Sequence, residues 1–346
     1  MGRSLPFSDW PAADQRMWLK LTQQGGPFDD HGALAKIRET SKQMYMGPYG
    51  RWLEWLRLNQ PSVLAELPVA RATLARLKAW LSGSPDLSPT SRKMYFEGTL
   101  RVLRAGFPDT DWYSHLRVVQ RLEQIAGRGD PARKQGKILS SRVLLEAGLR
   151  HAGAEAEAAA TPLGRAKAQR DGAMVAMLAL MPLRHRAFTA LKIGESLLIA
   201  DDVLTVVLAE DLTKTGVPWE ALVLDPAAAA LRRYLTEARP FFMAGTEHRH
   251  DFLWVGDQGK EMSYSYIGYK IQDVTERLTG IRIPIHFFRD SAATTFSRES
   301  PSAALMIAPL LGHACSGMAE RHYIQAGSVE VGRDYARVLK KLKEKR

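Results

Sequence analysis

The chain has 346 residues and a single cysteine, Cys315. A disulfide framework needs paired thiols and a cysteine-built zinc site needs several, so both are excluded, and the usage fits a reducing compartment. Long apolar runs are also missing. The longest, Ala173 to Leu183, falls well short of the ~20 residues that a membrane-spanning helix needs. The opening residues, MGRSLPFSDW, have no apolar stretch of the secretory kind, and Pro6 stands where an N-myristoylation motif carries Ser or Thr. A soluble, cytoplasmic protein with no membrane partner is expected. There is no nucleotide-binding motif and no internal repeat. His248 and His250, two apart in Glu247-His-Arg-His-Asp251, do not share a helix face and read as part of a solvated loop rather than a metal site.

What is present is ordinary globular composition with an uneven charge. Hydrophobic residues make up 45% and charged residues 25%, as in a soluble domain, and the length suits two domains with separate cores. The net charge is +11. Residues 1–137 carry +8, residues 333–346 carry +5, and residues 138–332 carry −2. An N-terminal domain that grips a phosphate backbone would have this distribution. A soluble protein with a high pI would have it too.

Periodicity divides the chain. Residues 1–30 mix Gly, Pro, Asp and Trp without a period and read as an irregular arm. Residues 31–127 read as helices only: two pieces broken at Gly47-Pro48, one or two more over Pro61–Ser82, one that Ser88 caps with Pro89 at its first position, and one over Asp111–Ile125. Trp52, Trp55 and Tyr95 have the spacing of a packed stripe. Residues 128–137, rich in Gly and basic, read as a linker whose Arg128, Arg133 and Lys134 either touch a polyanion or are solvated. Helices are expected again at Ile138–Gly153 and Pro162–Met181, with Ala154–Ala160 a loop or an extension. Strands are expected at Ser196–Ile199, Leu204–Leu208 and Trp219–Leu224, and a short one at Phe252–Val255. Further helices fall at Pro226–Thr236, Ser263–Leu278, from His286, from Ser300-Pro301, and over Asp334–Lys345. The expected fold class is mainly α with a small antiparallel β-sheet, an α+β domain following an N-terminal helical bundle.

Three features near the end come in a fixed order: His286-Phe-Phe-Arg289, Leu311-Gly312-His313, and His322-Tyr323. A His and an Arg three apart share a helix face. Arg offers a planar fork of donors to phosphate oxygens, His moves protons near pH 7, and Tyr can act as a nucleophile. That collection suits a phosphodiester. Two partners lie upstream: Arg184, at the end of the apolar helical run Gly172–Met181, and Lys214, in Thr213-Lys-Thr-Gly216 at the tip of a strand hairpin.

In order, the set is Arg184, Lys214, His286, Arg289, His313 and Tyr323, and with it the chain resembles the tyrosine recombinases, the phage-integrase family of site-specific DNA recombinases. The resemblance is close from about Gly172 to Ala326 and extends to the first half only in general layout. Two positions depart from the family pattern. Ala187 stands three after the first Arg, where members often carry an acidic residue, and His313 precedes Tyr323 by ten residues rather than nine. Tyr335, the one later tyrosine, is too far from the LGH motif.

The resemblance implies domains at 31–127 (core-binding, closing on duplex DNA) and 138–332 (catalytic), with a basic helix or tail at 333–346 that docks on its own domain or on a neighbouring protomer. It implies double-stranded DNA as partner, a homo-oligomer that is tetrameric on DNA, and no cofactor. It further implies that Tyr323 would attack the phosphate to give a 3′-phosphotyrosyl link, with Arg184, Arg289 and His313 holding its oxygens, Lys214 protonating the leaving 5′-oxygen and His286 assisting the phenol proton. The set holds no cluster of carboxylates of the kind that binds two metal ions. A type IB topoisomerase, which uses a similar set on one duplex, and a DNA-binding protein without catalysis are the alternatives.

Overall fold

The computed structural model describes residues 4–83, 86–127, 134–214, 216–244, 246–247, 249–299 and 337. The chain forms two compact units, Met1–Pro131 and Ala132–Arg346, each with its own apolar core.

The first unit contains α1 (Ala12–Thr22), α2 (Glu39–Asn59), α3 (Pro68–Arg71), α4 (Leu74–Ser82), α5 (Pro89–Gly106) and α6 (Tyr113–Ala126), without a strand among the described residues. Local chemistry sets several starts. The Ser88 hydroxyl accepts the Ser91 amide with Pro89 in the first turn, and Thr73 accepts the Arg76 amide to begin α4. Trp52 is fully enclosed, with Trp80 and Trp55 at 5.5 and 5.6 Å between ring centroids. Trp55 and Tyr95 are half-buried against the same core.

Two expectations fail in this unit. Among the described residues, 4–22 are not an irregular arm. Trp10, Trp18 and Leu21 belong to the core, and Asp14 of α1 is wholly buried. Its carboxylate accepts from Tyr49 of α2 at 2.5 Å and from Arg71 of α3 at 2.7 Å. Arg71 also donates to the Leu64 and Glu66 carbonyls, so a charge that would be very costly alone is fully partnered. Nor is there a break at Gly47-Pro48: α2 runs through it as one helix. Proline removes one helical bond and crowds the preceding turn, but here α5 covers the gap. A Cβ on Gly98 would stand 2.9 Å from Pro48 Cγ and 3.5 Å from the Met44 carbonyl oxygen, so close backbone packing stabilises the helix across its weak point.

The second unit contains α7 (Ser141–Arg150), α8 (Pro162–Leu180), α9 (His185–Thr189), β1 (Leu197–Ala200), β2 (Val203–Leu208), β3 (Trp219–Val223), α10 (Ala227–Arg233), α11 (Arg239–Ala244), α12 (Tyr264–Thr279) and α13 (Phe287–Glu299). Helix α8 is the hub. Every residue from 168 to 180 is buried, and a helix apolar on all sides must be enclosed on all sides. Helices α7, α10, α11, α12 and α13 all pack on it. A wide helical turn, His151–Glu155, continues α7, and another, Tyr234–Ala238, links α10 to α11. The Ala-rich stretch therefore begins as a helix extension.

The strands form one antiparallel sheet in the order β1-β2-β3. Asp201 and Asp202, with φ of 45° and 65°, make the two-residue turn between β1 and β2 that matches strand twist. Leu204, Val206 and Leu208 face inward with Trp219, Ala221 and Val223. The expected strand at Phe252–Val255 is absent: isolated bridges join Phe252 to Lys192 and Val255 to Glu261. The helices expected from Ser300 and over Asp334–Lys345 lie outside the described residues, apart from a single helical position at 337.

Candidate active site

The site is organised by the place where α8 stops. Met181 precedes a proline, which bars it from helical backbone, and it takes φ −124° and ψ 83°. The chain turns through buried Met181, Pro182 and Leu183. Arg184 then emerges as the residue before α9, with φ −66° and ψ 143°. It thus begins the next helix rather than closing the previous one. Burial pushes its guanidinium below the ordinary range.

The segment Ile283 to Asp290 reaches the same place. Tight turns from Pro284 and Ile285 lead into α13, with the Phe287 amide 2.8 Å from the Pro284 carbonyl. Ile283, Ile285, Phe287 and Phe288 face the core, which leaves His286 exposed and Arg289 half-buried on the outer side. Arg289 Nη1 donates to the Pro182 carbonyl at 2.8 Å, pinning it to the turn that carries Arg184. Burial first, then the nearby Arg184 charge, push Arg289 down to about 10. It is still a cation at neutral pH. Arg289, which the Arg184 charge depresses, would gain from an anion held beside both guanidinium groups.

That arrangement has a measurable consequence. Inorganic phosphate at ten times its Kd should add about 1.4 kcal/mol to the unfolding free energy of the chain. Arg289→Ala should lose that increment while keeping any general salting effect. Equal increments in the two proteins, measured by thermal unfolding, would remove the anion site.

Sequence reasoning passed over His185. Its ring stacks on Tyr264 with centroids 3.7 Å apart, and burial lowers its pKa, with a backbone bond to Tyr264 opposing and the His286 charge adding to the effect. Its position directly after Arg184 was the only signal available. Tyr264 opens α12, which is tied to the hub by charge: Asp171 of α8 is buried, with Lys270 at 3.3 Å and Arg277 at 3.6 Å.

Arg184, Arg289 and His286 are therefore brought together, with His185 beside them. Lys214 is exposed on the loop 209–218 between β2 and β3, and these contacts do not gather it in. His313 and Tyr323 lie outside the described residues. Lys134 of the expected linker pairs with Asp290 at 2.9 Å, next to Arg289, while Arg128 and Arg133 lie outside the described residues. Among the described residues no group of acidic, His or Cys side chains could hold a metal ion, and no helix is long and apolar enough to cross a membrane.

Comparison with known proteins places the architecture. The XerH site-specific recombinase bound to its difH substrate, a pre-cleavage complex, matches at a TM-score of 0.56 and 14% identity, over 94% of this chain and 95% of that one. XerH bound to a palindromic difH substrate, a post-cleavage complex, matches at 0.51 and 14%, over 83% of this chain and 76% of that one. No family model matches the sequence, and no curated protein does. At this identity the likeness lies in the fold.

Proposed function

We propose that this chain, which has the tyrosine recombinase fold, is a site-specific DNA recombinase that breaks and rejoins strands through a 3′-phosphotyrosyl intermediate on Tyr323. The observation that carries the reading is the pinning of Arg289 on the Arg184 turn, with His286 on the same outer side. A scissile phosphate is the anion such a pair of cations fits: each guanidinium can give two parallel donors to its oxygens, and charge on those oxygens grows as the bond exchanges.

In the proposed step the Tyr323 oxygen attacks phosphorus, a new P–O bond forms, and the bond to the 5′-oxygen breaks. His286 assists removal of the phenol proton and Lys214 supplies a proton to the leaving 5′-oxygen. A tyrosine ordinarily titrates near ~10, and two nearby cations favour its phenolate. Arg184, Arg289 and His313 hold the oxygens throughout. One phosphodiester is exchanged for another, so no ATP is consumed. Rejoining is the reverse attack by a 5′-hydroxyl from the partner strand, which calls for two duplexes and so for an oligomer on DNA, read here as a tetramer.

The test is a covalent trap. Nicked duplexes taken from the DNA flanking the gene are incubated with the protein in EDTA and run on a denaturing gel. A protein–DNA adduct is expected. Tight, specific binding of a duplex without any adduct would sink the catalytic reading in favour of a DNA-binding protein.

A further inference from the structure

The His185 ring lies in a slot on α12. On one side is the Tyr264 ring, at 3.7 Å and 21° from parallel. At its Cε1 edge is Gly268, one turn along the same helix. A Cβ there would stand 2.6 Å from Cε1, 3.3 Å from Nε2 and 3.6 Å from Nδ1, so any side chain at 268 would strike the ring itself. Its Nε2 is buried without a partner, which is unusual for a polar atom and wants a reason.

The neighbourhood supplies one. Helix α9 has only five residues, too few to hold its own place without tertiary contacts. At its far end the Phe188 carbonyl accepts from Trp254 at 3.1 Å. At its near end the side chain that fastens it is His185, adjacent to Arg184. The titratable groups that act on that ring are Tyr264 on α12 and His286 just before α13, and Arg184 and Arg186 flank it in sequence.

We infer that His185 is a positioning residue: stacked on Tyr264 and abutting Gly268 at its Cε1 edge, its ring fixes the turn that presents Arg184 to the scissile phosphate. This rests on the recombinase reading above and adds to it a residue that does not itself touch DNA. A displacement of about 1 Å in a group that holds a reacting phosphate slows the reaction by on the order of 10- to 100-fold.

The experiment is a double-mutant cycle of Gly268→Ala and His185→Ala on single-turnover adduct formation at saturating nicked duplex, with duplex affinity and thermal unfolding measured on every variant. Gly268→Ala is expected to slow adduct formation by on the order of 10- to 100-fold, far more than any accompanying change in affinity or unfolding accounts for. In the His185→Ala background the same substitution should have no further effect. A wild-type rate in Gly268→Ala overturns the inference, as do effects of the two substitutions that simply multiply. Loss of affinity or of the folded state that parallels the rate overturns it too, since His185 would then be a fold contact only. A second readout needs no DNA: the Arg184 Nε–Hε resonance, assigned with Arg184→Lys, should move in both Gly268→Ala and His185→Ala. An unmoved resonance overturns the positioning role, whereas a moved resonance with no adduct from the wild type supports it and overturns the recombinase reading instead.

Discussion

Tyr323→Phe is expected to abolish the covalent protein–DNA adduct and leave duplex binding intact. The substitution deletes one oxygen, the atom that would bond to phosphorus, and keeps the rest of the ring. Affinity for duplex comes mainly from Lys and Arg on phosphates, and none of these changes. In-line attack requires the nucleophile opposite the leaving oxygen. The ten-residue spacing from His313 makes the choice of tyrosine worth a direct control. Tyr335→Phe should form adduct at the wild-type rate. An adduct that survives in Tyr323→Phe and disappears in Tyr335→Phe would move the nucleophile twelve positions on and show that the LGH spacing had been misread.

Arg289→Ala is expected to slow adduct formation at saturating duplex by about 10²- to 10³-fold, on the order of 3–4 kcal/mol of transition-state stabilisation. Arg289→Lys should recover little of it, since an ammonium group is a point charge where the guanidinium offers a planar fork. Removing the side chain also leaves the Pro182 carbonyl without the donor it has at 2.8 Å, a loss of about 1 kcal/mol. Thermal unfolding of the variant separates that small cost from the kinetic one. The pH dependence has a definite sign. Burial and the Arg184 charge push Arg289 down to about 10, so the cation is present below that value and is lost as the pH rises through it. The rate should therefore show no Arg289 step between pH 6 and 9 and should fall above about 10. A phosphate in the site favours the charged form and moves the fall upward. A wild-type rate in Arg289→Ala would remove it from the chemistry.

Much of the architecture was legible because it is written in local patterns. The Ser88-Pro89 start of α5 and the Ser263 start of α12 are capping chemistry within a few residues. The meander was readable from alternation, with Leu204, Val206 and Leu208 on one face and their neighbours on the other. Where reading failed, the deciding contact was distant. The first 30 residues lack a period, but Asp14 finds Arg71 57 positions away, and an ion pair of that kind leaves no trace in local hydrophobicity. Gly47-Pro48 carries a real local signal for a break, which was outweighed by Gly98 on another helix. The Phe252–Val255 run is apolar because it is enclosed: Leu253, Trp254 and Val255 are buried, and burial alone does not make a strand.

The same division applies to the site. Sequence by itself determined which groups are available and in what order: two guanidiniums, imidazoles, a lysine on a strand-to-strand loop and a tyrosine. It also determined that His286 and Arg289, three apart, fall on one face, whereas the structure showed that face to be the outer one, with Phe287 and Phe288 in the core. Only the tertiary structure decided that Arg289 rests on the Pro182 carbonyl, 107 residues away, that the Arg184 charge acts on Arg289, and that His185 abuts the gap left by a missing Cβ on α12. The physical reason is range. Caps, turns and amphipathic faces are settled by neighbours within a turn or two, whereas a carbonyl acceptor or a glycine gap has no signature of its own until the chain has folded around it.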